Sequence, residues 1–194
     1  GVSYALELDE SGKLLQIIPL KTEQLRGKKT VLRPQSLTVP TPVKRSSGIM
    51  PNFLCDNSTY FLGVDNKGKP ERSRDCFLAS KAFHLEFLEG LDSPAAQAIC
   101  NFFLAWQPEN ALEHPLVSEI WDDLAKGANL VFWVNGGYAH QDAKIREVWK
   151  RHYDNEQSEY AMQCLVTGQM GPPARLHPSI KGVRGAQAVG ASLV

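Results

Sequence analysis

The residues able to do acid–base, nucleophilic or metal chemistry are few and poorly grouped. His84 and Glu86 stand two apart, which on a helix sends them to different faces. His84 therefore reads as a surface or core-edge histidine. His140 with Asp142, and His152 with Asp154, are pairs without a third partner, whereas a metal site needs converging donors. Cys164 and His177 offer the residue types of a nucleophile and a base, but no orienting group or oxyanion turn accompanies them. A cysteine hydrolase is the weaker alternative, and the chain is expected to be non-catalytic, with no metal and no cofactor. Phosphate-cradling motifs are missing too. Gly182, Gly185 and Gly190 sit in a basic stretch, not between a strand and a helix.

A second kind of chemistry is better represented: cations on flexible backbone. Lys44-Arg45-Ser46-Ser47-Gly48 combines two cations, two hydroxyls and a glycine that lets a partner come close. Asn57 carries both a donor and an acceptor and so has the chemistry to read a base edge, although an Asx-turn to its own backbone is the favoured reading. Arg175, Lys181 and Arg184, with His177 among small residues, suit a phosphate backbone.

The formal net charge is zero, yet the charge is segregated. Residues 21–47 hold seven basic side chains and one acid, whereas 86–123 hold eight acids and no Lys or Arg. That asymmetry implies a basic face and an acidic face. The four cysteines, Cys55, Cys76, Cys100 and Cys164, lack the spacing of a zinc or redox motif. Scattered free thiols fit a reducing, cytoplasmic setting, and no apolar run is long enough to span a membrane.

The elements that must position these residues read as an α+β fold, with small antiparallel sheets, a helical layer and long basic loops. Alternation over Tyr4–Leu8, a Ser11-Gly12 turn and an apolar Leu14–Leu20 predict a hairpin. Pro34, Pro40, Pro42 and Pro51 predict an extended, irregular basic loop over 21–51. A strand pair is expected at Phe53-Leu54 and Tyr60–Val64. Helices follow from Pro70, from a Ser93-Pro94 cap, and from Pro115 to a stop at Gly127, giving a helical part over 71–126. A buried strand is expected at Leu130–Val134, a helix at Asp142–Tyr153 and a strand at Tyr160–Thr167. Residues 168–190 form a basic, Gly-rich arm. Gly1 falls within strand-like sequence and Val194 follows an apolar run, so the whole is expected to be one N-terminal domain, 1–194, of a longer protein.

Three stretches carry a resemblance: KRSSG at 44–48, NFLCDNSTYFLGVDNKGKPER at 52–72, and CLVTGQMGPPARLHPSIKGVRGAQAVGASLV at 164–194. Together they resemble the N-terminal region of the type I-C CRISPR Cascade large-subunit family, the Csd-type proteins. The resemblance implies a role without a reaction. The guide RNA reads the target by pairing, while the large subunit senses a short flanking motif in duplex DNA, the PAM, and helps to open it. It implies partners as well: target double-stranded DNA, guide RNA, the subunit capping its 5′ handle, the backbone subunits and a recruited helicase–nuclease, but no membrane. A C-terminal helical region of the family is absent here. Carried onto this chain, Lys44, Arg45, Ser46, Ser47 and Asn57 would line the site for the flanking duplex. Arg175, Lys181 and Arg184 would hold nucleic-acid backbone or a neighbouring subunit. A structural module anchoring the complex at the handle is the competing reading.

Overall fold

The structure, a computed structural model, describes residues 1–167. Its centre is strand β6 (Asn129–Val134), which pairs on one side with β1 (Tyr4–Leu8) and on the other with β5 (Cys55–Asn57) and β7 (Gly137–Tyr138). Strand β2 (Leu14–Pro19) completes the sheet as the antiparallel partner of β1. The α+β class holds, but the β1–β6 pairing is parallel. Parallel neighbours need a long crossover. Here it runs through the helices, α2 (Pro70–Leu88) and α3 (Pro94–Ala105) among them, which pack on one face of the sheet.

Alternation along β6 divides the core. Leu130, Phe132 and Val134 face the helices with Leu6, Leu8, Phe61, Phe77, Phe83, Phe102 and Phe103. Val131 and Trp133 face the other way beside Val2 and Ala5, where Leu37 and Val39 pack against them. That second cover is a strap that leaves a Val2–Gln35 bridge and runs on past Val39. The strap therefore anchors one end of the basic loop to the sheet.

Five local expectations are corrected, the first being the strand expected at Phe53-Leu54, which is a bend leading into β5. Residues 21–34 are a hairpin, β3 (Lys21–Arg26) and β4 (Lys29–Pro34), not an irregular path. The four prolines fall at or beyond its end, and Gly27, at φ 66°, opens a two-residue turn of the kind that suits twisted strands. The apolar run at Tyr60 is helical, α1 (Ser58–Phe61), because Asn57 caps it and buried runs carry no period of their own. Helix α6 (Ala143–Thr167) runs through the stretch expected as a strand. It holds no Gly or Pro to stop it, and Glu147–Arg151 and His152–Glu156 brace successive turns. His84, expected near the surface, is fully buried.

The helix starts match the sequence closely. The Ser93 hydroxyl accepts the Ala96 amide at 3.2 Å with Pro94 in the first turn. Pro115 opens α4 (Pro115–Glu119), followed by α5 (Trp121–Leu124) and a stop at Gly127, φ 87°.

Candidate nucleic-acid interface

A buried carboxylate organises the chain around the basic loop. Asp56, 1% exposed, accepts the backbone amides of Asn52 and Asn57 at 2.9 Å each, and pairs with the Arg45 guanidinium. Arg45 also donates Nε–H to the Met50 carbonyl at 2.7 Å and lies 3.9 Å over the Tyr60 ring. The Asn52 side chain accepts the Val43 amide at 2.8 Å, and the Met50 amide donates to the Tyr60 hydroxyl at 3.2 Å. The loop from Val43 to Met50 is thus pinned at both ends. Burial pushes the Asp56 carboxyl up, against the pull of Arg45 and the two amides. Burial also pushes the Tyr60 phenol up to about 12.

A second buried hub fixes the far side of this loop. Leu54 adopts a left-handed φ of 57°, rare for a branched residue. Its amide donates to His84 Nε2 at 3.0 Å, while His84 Nδ1 lies 2.7 Å from the Ser80 carbonyl. A carbonyl can only accept, so the proton sits on Nδ1 and the ring is neutral. Burial holds its pKa down at about 4. Phe53 stacks on His84 at 5.5 Å and on Trp149 at 4.6 Å.

The five loop and strand residues singled out in the sequence now have distinct places. Lys44, Ser46 and Ser47 are exposed, and Lys44 has no ion pair among the described residues. Arg45 is turned inward to Asp56, so its charge is spent on the loop's own geometry. Asn57 caps α1, its Oδ1 accepting the Thr59 amide at 3.1 Å. Strand alternation sends its side chain away from that of Asp56, and no contact links it to Lys44 or the serines among the described residues. Arg175, Lys181, Arg184 and His177 lie outside the described residues, so the arm over 168–190 is not placed relative to the loop.

Two cationic features escaped the sequence reading of the site. Arg72, at the start of α2, donates to the Ser47 carbonyl at 3.2 Å and adds a cation to the basic loop. Its distance of 25 residues in sequence hid it. The β3–β4 ribbon carries Arg26, Lys28, Lys29 and Arg33, all exposed and without an ion pair among the described residues. Gly27 in Leu25-Arg26-Gly27-Lys28 is the local turn signal for this ribbon. Meanwhile the acidic stretch 86–123 is partly spent on basic partners: Asp123 with Lys21, Asp92 with Lys144 at 3.2 Å, and Glu109 with Arg74 at 3.4 Å.

Among the described residues the reactive groups are not gathered. Burial pushes the Cys55 and Cys100 thiols up to about 11, away from the thiolate a nucleophile needs. Cys164 lies on α6. No cluster of three or more His, Cys, Asp or Glu able to hold a metal ion occurs among the described residues. No helix among them is long and apolar enough to cross a membrane.

A family model described as CRISPR-associated protein (Cas_Csd1) matches residues 1–194. No curated protein matches the chain.

Proposed function

This chain belongs to the CRISPR-associated Cas_Csd1 family, and from that footing we propose that it is the DNA-sensing part of the large subunit of a type I-C RNA-guided complex. It is non-catalytic in this reading. The Lys44–Ser47 loop contacts the flanking duplex before the guide RNA begins to pair, and so helps R-loop formation start. Lys44 and Arg72 hold phosphate, Ser46 and Ser47 bond phosphate or base edges, and Arg45 keeps the loop in shape. Asn57 retains its amide nitrogen as a donor for a base edge. The arm residues Arg175, Lys181 and Arg184 hold guide or target backbone, or a neighbouring subunit at the guide's 5′ handle.

The observation that carries this reading is the bracing of the loop. An exposed cation and two exposed hydroxyls are displayed on a segment held by the pairing of half-buried Arg45 with buried Asp56, so little ordering entropy remains to be lost on binding. Duplex binding by the full-length chain in its complex provides the test. Lys44→Ala should weaken affinity for every flanking sequence alike and lower the salt slope by about one. A loss confined to one flanking sequence, or no loss, refutes the positioning role.

A second reading has its own support. Leu25 and Leu32 on the β3–β4 ribbon are 82% and 59% exposed among the cations. A ribbon with that mixture suits a protein neighbour at the guide's handle, with the same chain serving as an anchoring module. Leu25→Ser with Leu32→Ser separates the two, since it would release a protein partner and leave duplex affinity alone.

A further inference from the structure

Both ring nitrogens of His140 are buried with no hydrogen-bond partner among the described residues, although the residue is only 6% exposed. Orphaned buried polar groups are rare in native folds and are expected to have a use. His140 lines a cleft of about 970 Å3 between the Thr38–Pro40 strap, the Phe53-Leu54 turn and the first turns of α6. Trp149, half-buried and backed by the buried Phe53 ring at 4.6 Å, contributes an aromatic wall. Arg146 and Lys150, one helical turn apart, stand on the same side of α6, exposed and without an ion pair among the described residues. The one acid lining the cleft, Glu147, is engaged by Arg151 at 2.9 Å.

Flat aromatic surface, an unpaired donor and acceptor, and two adjacent cations are the complement of a nucleobase joined to a phosphate. We propose that this cleft takes one unpaired nucleotide, its base against the aromatic wall and bonded by His140, its phosphate held by Arg146 and Lys150. An unpaired base suits the cleft, because a base stacked inside a duplex has no free face to lay against an aromatic wall. The location deepens the reading of the Lys44 loop and rests on it. Residues 38–40 and 53–54 are the two roots of that loop, so a strand parting from a duplex held at Lys44 emerges beside the cleft.

Two fluorescent probes on the full-length chain test this: a short single strand carrying one 2-aminopurine, and the free monophosphate of the same base. Binding should change the probe's fluorescence. Arg146→Ala with Lys150→Ala, both surface changes, should weaken it about tenfold or more. His140→Leu should abolish the base-dependent signal and His140→Gln, which keeps a donor and an acceptor, should restore part of it. Tighter binding of the strand assigns the cleft to nucleic acid, and equal binding of the free monophosphate assigns it to a small nucleotide. Indifference of both probes to the Arg146/Lys150 variant overturns the proposal. Should duplex affinity still depend on Lys44 in that case, the cleft alone has failed and the loop assignment stands.

Discussion

Arg45 and Asp56, eleven residues apart, pair at the base of the basic loop, with Asp56 almost wholly buried and Arg45 stacked on Tyr60. A cation chosen for its charge as a DNA contact is thus also the loop's internal brace. Breaking a buried pair leaves an uncompensated charge, so Arg45→Ala should cost about 3 kcal/mol in urea unfolding. Arg45→Lys should recover little of that, because lysine lacks the planar fork that reaches Asp56 and the Met50 carbonyl together. A cost for Arg45→Ala below that of an ordinary surface change would mean the brace is not structural.

Asn57 is where capping and base reading can be separated. Its Oδ1 holds the Thr59 amide, so Asn57→Ala should cost about 1 kcal/mol of stability. Asn57→Asp keeps the acceptor and should restore the stability. It removes the amide donor, however, and should blunt discrimination between flanking sequences by up to tens-fold, the worth of one base contact at about 1–3 kcal/mol. Wild-type discrimination by Asn57→Asp would remove Asn57 from the DNA site.

The buried, neutral His84 makes stability depend on pH. Its pKa is about 4 in the fold against 6.5 for the free side chain. Between those values the unfolded chain binds the extra proton, so the fold loses stability as pH drops below 6.5 and the loss levels off below about 4. At pH 5 the His84 contribution should be a loss of about 2 kcal/mol. His84→Gln should be less stable at neutral pH but flatter across this interval. Parallel pH profiles for the two chains would contradict the neutral-ring assignment.

Gly12 turns the β1–β2 hairpin at φ 85° directly against α3. A Cβ there would lie 2.4 Å from the Phe102 amide nitrogen and 2.7 Å from the Ala98 carbonyl. Gly12→Ala should therefore cost about 3 kcal/mol, through strain and overlap with backbone that cannot yield. Gly27→Ala is the control, with a positive φ but open space around it, and should cost about 1 kcal/mol. Equal costs would show that the contact with α3 yields more easily than its geometry implies.

Local chemistry was legible in the sequence wherever it acts over a few residues. Ser93-Pro94 and Pro115 opened helices, Asn135-Gly136 turned β6 into β7 with both residues at positive φ, and the alternation of Tyr4–Leu8 gave a strand. Cap, turn and period are short-range, so the residues that set them lie side by side. The run at Tyr60 and the tail of α6 have no period that separates helix from strand, so their surroundings decide between the two.

Which residues meet was a matter for the tertiary structure alone. The Asp56 hub, the His84–Leu54 bond across 30 residues and the Arg72 donation to Ser47 join partners that no spacing rule connects. The sequence supplied the basic loop and its family likeness; folding decided which of its cations faces inward. A charge buried against a carboxylate and a charge left in water look alike in a string of letters, because burial is a property of everything packed around them.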